Sequence, residues 1–256
     1  MKSPIKDLRY ASRALSVLKR IIPADSSVES FLLFAGDLEI NLAEAGRQVT
    51  AHTNRYVIYD FWVSLFESPW VLSEMAQFFY PFESQEVFNV FQKDYSKKKD
   101  PYMRAALFFL LNRCSSNGMI SSGDLDQKNY TPMALTHLER FKQINFDVVC
   151  DQSENFLANV SQIKDTDFIF FPVGKFSFNL LEEGITRGQE ETTIYHKELK
   201  ETVDALKTPT ILNYVYHPGV VQLYSDYEMI MLDKYGKDTS DKTKAKELII
   251  ANFGIS

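Results

Sequence analysis

"DFIFFPVGKF", residues 167–176, is the stretch on which the reading of this chain turns. Asp167 to Phe171 is a short apolar run of the kind that forms a strand buried on both faces. Such strands belong to sheets covered by helices, and their carboxyl ends often carry reactive groups. The tip here is Pro172-Val173-Gly174-Lys175, which offers no acid, no nucleophile and no general base of the usual kind.

Outward from that run, short apolar segments alternate with longer helical ones. "SFLLFA" (30–35) and "QVTAH" (48–52) read as strands around the helical "DLEINLAEAG", with Gly46 placed as its C-cap. Tyr56 to about Tyr80 has helical, aromatic-rich spacing. "SKKKDP" (96–101) is a charged loop whose Pro101 opens the helix "YMRAALFFLLNR", and 115–131 is a Ser/Gly/Asn/Asp loop. "ALTHLERFKQI" and "NFLANVSQI" read as helices on either side of the strand "FDVVCD". After a polar connection (179–192) come the helix "IYHKELKETVDAL", the strand "TPTILNYVY" and a short helix behind Pro218-Gly219. "EMIMLDKYG" and "ELIIANF" close as a strand pair. Leu8, Ala11, Leu15, Leu18 and Ile22 fit one face of an N-terminal helix. Seven strands separated by helices predict an α/β Rossmann-like fold, with residues 1–256 as one domain and a helical and loop subregion at 56–135.

Composition narrows the function. The chain has 256 residues, 45% hydrophobic and 24% charged, the profile of a globular protein with a sizeable core. Its net charge of −6 argues against a dedicated nucleic-acid binder. Ten glycines are few for a chain that would cradle phosphates on its backbone. Cys114 and Cys150 make no disulfide framework, which points to a reducing, cytoplasmic setting (or a virion, if the source is viral). No apolar run is long enough to span a bilayer, and no signal peptide opens the chain, so no membrane partner is expected. "GKFS" (174–177) fails as a P-loop, no G-x-G-x-x-G or G-x-S-x-G occurs, and the four histidines have no metal-ligand spacing. His137 reads as a surface residue.

The order of segments resembles the D12 class of adenine-N6 DNA methyltransferases, the family of the bacterial Dam enzymes. "SPIKDLRYASRAL" (3–15), "SFLLFAGDLEINLAEAG" (30–46) and "AHTNRYVIYDFW" (51–62) fit its start and first two strands. "RAALFFLLNRCSSNGM" (104–119), running on into "SSGDLDQKNYT", is the most specific match, and "TILNYVYHP" and "KELIIANF" fit the last strands. "DTDFIFFPVGKF" sits where the family has a strand followed by Asp-Pro-Pro-Tyr. The resemblance implies a Rossmann-like methyltransferase fold with a seven-stranded mixed sheet, and places 56–135 where the target-recognition part lies. It also implies the cofactor S-adenosylmethionine (SAM) and a target adenine flipped out of the duplex. In such enzymes an Asp carboxylate and a proline carbonyl accept hydrogen bonds from the adenine amine, and a tyrosine stacks on the base.

The matching positions here are altered. Asp-Pro-Pro-Tyr becomes Pro172, Val173, Gly174 and Lys175, so the carboxylate and the ring are both lost. The cofactor's glycine run becomes Phe34, Ala35 and Gly36, and the acid that would hold the ribose falls on Thr53. Phe34 is expected to fill cofactor space. A catalytically degenerate relative is therefore expected, binding no cofactor and kept for a protein partner or larger assembly, with weak DNA binding as a further possibility. The aromatic segment 59–82 is the first place to look for an interface, although most of it suits core packing. An active, divergent SAM-dependent enzyme is the alternative. It would need another acid, with Asp37 a candidate, or Asn213 and Tyr214 facing the base. A DNA-binding module would use "SKKK" (96–99) and "DQKNYT" (126–131).

Overall fold

Phe168–Gly174 forms the central strand, β4, of a seven-stranded sheet. The computed structural model describes residues 2–6, 12–116, 120, 123–153, 155–163, 165–176 and 194–255. β4 pairs in parallel with β1 (Ser27–Ser30) on one side and β5 (Thr210–Val215) on the other. β2 (Gln48–Thr53) and β3 (Phe146–Cys150) extend the sheet beyond β1, also in parallel. Beyond β5 lie β7 (Glu247–Ala251) and then β6 (Glu228–Leu232), with β7 antiparallel to both neighbours. The order is 3-2-1-4-5-7-6. The connections reverse direction between β1 and β4, and ligands of such sheets bind in the crevice outside the carboxyl ends at that point.

The pleat sends alternate residues to opposite faces, and two cores result. Phe170, Ile211 and Ile249 pack with the helices α1 (Leu15–Ile21), α2 (Asp37–Glu44), α3 (Tyr56–Glu67), α4 (Pro69–Gln77), α5 (Gln85–Asp94), α6 (Pro101–Cys114) and α7 (Pro132–Glu139). Ile169, Phe171, Leu212 and Ile250 pack on the other side with α8 (Phe156–Val160), α9 (His196–Ala205) and α10 (Pro218–Leu223). The expected seven-stranded mixed sheet with helices on both faces is the one observed.

α6 is the hub of the first layer. Every residue from Ala105 to Asn112 is buried, as a helix apolar on all sides must be. Its Phe108 packs on Phe61 of α3 at 5.4 Å between ring centroids. Each such fully buried ring or leucine contributes about 2 kcal/mol. Its start is local chemistry: the Asp100 carboxylate accepts from the Met103 amide, and Pro101 takes the first position, where an N–H would be idle. Thr131 and Pro132 start α7 in the same way.

Several sequence expectations shift. "SFLLFA" is not a strand over 30–35. β1 runs over Ser27–Ser30, and Phe31 to Gly36 is the connection into α2. The polar residues of β1 tolerate the sheet because they are partnered: Ser27 hydroxyl and amide bond Asp167, Glu29 reaches His52, and the Ser30 hydroxyl donates to Glu39. The helical segment 56–80 is two helices divided at Ser68-Pro69. α5 has no counterpart in the sequence reading, and α7 and α8 are shorter than their patterns. The polar connection at 179–192 and Leu8 and Ala11 of the N-terminal pattern lie outside the described residues.

Candidate functional site

The carboxyl ends of β1 and β4 open onto a cleft of about 330 Å³. Phe34 to Leu38 wall it on one side and Pro172 on the other, with Ser12 and Glu39 also facing it. Fold and sequence motifs therefore meet here: Phe34, Ala35, Gly36 and Pro172 are brought together. Pro172 falls where the β4–β5 register slips between Phe171 and Gly174. Val173 is buried in the opposite core, Gly174 has φ +74°, and Lys175 is exposed.

Two of these residues serve the helical layer. The Phe34 ring is 5% exposed and packs edge-on against Phe108, with centroids 6.3 Å apart. Its carbonyl accepts from the Trp62 indole N–H at 3.1 Å. Gly36 sits at φ +67°, and a Cβ there would meet Trp62 Cζ2 at 2.9 Å. The glycine is thus required by Trp62 and by the left-handed backbone that starts α2.

On the β2–β3 side of the crevice the structure holds a cluster that the sequence reading missed. His52 of β2 is 6% exposed. Its Nε2 lies 2.7 Å from Glu29 Oε2 and its Nδ1 3.0 Å from Asp151 Oδ1. Burial alone would lower the His52 pKa, but hydrogen bonds to Asp151 and Glu29 outweigh it and raise it to about 9. The ring is an imidazolium at neutral pH, donating from both nitrogens. Phe31 stacks on it at 4.4 Å and 14°. The space among Phe31, Leu33, His52, Thr53, Asp151 and Phe156 amounts to about 10 Å³, room for one water at most. Thr53 is buried, and its hydroxyl oxygen accepts from the Arg55 amide at the start of α3.

On the β4–β5 side Phe176 lies between His196 (4.5 Å) and His217 (5.0 Å). Tyr214 is fully buried with its hydroxyl 3.0 Å from His196 Nδ1, so it has no face open for stacking. Asn213 is also fully buried. The Ser12 hydroxyl lies 3.1 Å from Asn213 Oδ1 and 2.9 Å from Glu247 Oε2, and donates its one proton to the nearer carboxylate. The alternative placing Asn213 and Tyr214 against a base does not hold, because both are committed to the interior. Asp37 accepts from the Ser3 amide at 3.1 Å. Glu39 is buried beneath the cleft, bonded by Ser30, and burial pushes its carboxyl pKa up. This buried acid under the floor is another feature the sequence reading missed.

Of the proposed DNA-contacting residues, Lys97 pairs with Asp94 and Lys128 with Asp126, both on the surface. In the aromatic segment 59–82, Phe61, Trp62, Leu65 and Leu72 are core, while Trp70, Phe78 and Tyr80 are exposed. Among the described residues no cluster of His, Cys, Asp and Glu could hold a metal ion. No helix among them is long and apolar enough to cross a membrane.

No protein-family model matches the chain, and no curated protein matches it. Among solved structures it is similar to a SAM-dependent methyltransferase from Agrobacterium tumefaciens, at 10% identity and a TM-score of 0.38, over 93% of this chain and 58% of that one. It is also similar to precorrin-6y C5,15-methyltransferase from Geobacter metallireducens GS-15, at 11% identity and a TM-score of 0.39, over 98% of this chain and 93% of that one. The chain thus spans little more than half the length of the first. These likenesses are too distant to speak for substrate or residues. The strand order, with its antiparallel β7, makes this a Rossmann-like α/β fold.

Proposed function

We propose that the chain is a catalytically degenerate relative of the adenine-N6 DNA methyltransferases, retained for binding or assembly, and that SAM is not its ligand. One observation carries this reading: the Glu29–His52–Asp151 clamp and Phe31 occupy the crevice over β1, β2 and β3, leaving about 10 Å³. In dinucleotide folds that crevice receives the nucleoside half of the cofactor, and small-molecule pockets run to about 300–1,000 Å³. Thr53 and Gly36 support the same reading, since one serves the α3 start and the other Trp62.

The reacting corner is equally unsuited. Nothing at Pro172–Lys175 can accept a hydrogen bond from an adenine amine as a carboxylate would. Loss of one oriented partner of this kind costs about 2.7–4 kcal/mol in a transition state. The protein partner or larger assembly of this reading has Trp70 and Phe78 available on the surface. The test is methyl transfer: purified protein with labelled SAM and adenine-containing duplex DNA is expected to incorporate no label. Incorporation abolished by changing a residue of the cleft would overturn the reading. An active enzyme retains one point in its favour, the cleft of about 330 Å³ at the switch point.

A further inference from the structure

A second and larger cleft, about 730 Å³, lies where the N-terminal segment meets α7 and the end of α6. Lys2 and Lys6 face it from the N-terminal segment, Arg113 from α6, and His137 and Arg140 from α7. Asp37, on the wall shared with the crevice, is its only carboxylate among the described lining residues. Four permanent cations thus face one anion in a protein whose net charge is −6. No ion pair involves Lys2, Lys6, Arg113 or Arg140 among the described residues.

The cations are not explained by the fold alone. Arg113 and Arg140 lie at the ends of α6 and α7, where a helix dipole favours positive charge. Lys2 and Lys6 are on no helix, yet they join the same concavity. Their proximity is unfavourable: Lys6 is lowered by burial and then by Arg113, and His137 by burial, Arg113 and Lys2. Arg113 is brought down to about 10 by burial. Its guanidinium is already fixed, with Nε donating to the Pro4 carbonyl at 2.8 Å. The hydroxyls of Ser3 and Thr136 border the same space.

We infer that this cleft is a binding site for a small ligand bearing a phosphate or diphosphate group. Guanidinium, ammonium and hydroxyl donors converging on a concavity of this size match the oxygens of such a group. A small ligand fits better than a nucleic-acid backbone, because the cations line a pocket instead of tracking along a surface. The inference is independent of whether methyl transfer survives, since neither His52 nor Pro172 contributes to this cleft.

Calorimetric titration at low ionic strength tests it, with inorganic pyrophosphate, ATP and adenosine as probes. Pyrophosphate or ATP should bind saturably and adenosine should not. The double variant K6Q/R140Q should weaken that binding roughly tenfold or more, while the surface control K97Q/K98Q leaves it unchanged. Among the described residues the side chains of Lys6 and Arg140 make no hydrogen bond, and an unchanged melting temperature confirms the variant is folded. Absence of saturable binding overturns the inference. So does equal binding by adenosine, indifference to K6Q/R140Q, or binding of a DNA duplex that pyrophosphate fails to displace.

Discussion

Asp151, just past β3, holds His52 of β2 through a 3.0 Å bond to Nδ1, tying the two outermost parallel strands together at their carboxyl ends. Glu29 completes the clamp from β1. The His52 pKa is raised from 6.5 to about 9, so its stabilisation is fully present below about pH 6.5 and lost as pH rises through 9. The shift corresponds to about 3 kcal/mol at most. Urea midpoints taken from pH 6 to pH 10 should fall for the native protein. Those of H52Q should start lower and change far less over the same range.

Gly36 is predicted to be intolerant for reasons of packing. G36A sets a Cβ 2.9 Å from Trp62 in a left-handed backbone, and should lose about 2–3 kcal/mol in denaturant titration. A change of less than about 0.5 kcal/mol would mean the Trp62 contact is not what requires glycine.

Phe34 has its ring in the helical core. F34A should cost about 3–5 kcal/mol, as for other buried rings, and should not create SAM affinity. Stability is read by chemical denaturation and affinity by titration. Recovery of binding would show that this ring alone blocks the cofactor.

Glu247 fastens the N-terminal segment to the sheet. Its carboxylate accepts from the Arg13 amide at 2.7 Å and the Ser12 hydroxyl at 2.9 Å while 2% exposed. E247L leaves those donors without this acceptor and should cost about 2 kcal/mol or more. Amide hydrogen exchange at Arg13 should quicken, whereas exchange in β2 should follow only the global loss.

The sheet was legible in the sequence because its central strands are apolar on both faces and its helices carry local start signals. Asp100-Pro101 and Thr131-Pro132 give their boundaries from a few residues each. β1 was displaced by its chemistry: Ser27-Val28-Glu29-Ser30 looks polar, and its partners Asp167, His52 and Glu39 come from distant segments. Phe31 to Ala35 is apolar because a loop also supplies core. The motif positions Phe34–Gly36 and Pro172 do converge on one cleft. The filling of the adjacent crevice was attributed in the sequence to the uncharged Phe34, whereas a charged histidine and Phe31 fill it. His52 has no metal-ligand spacing and its two carboxylates lie 23 and 99 residues away, a relation no local pattern carries.

Equilibrium titration of the full chain with SAM tests the central claim most directly. The account predicts no saturable heat and no rise in melting temperature at millimolar ligand, for the native protein and F34A alike. Saturable binding with a stabilisation approaching about 2.7 kcal/mol at a hundredfold excess over the dissociation constant would contradict it.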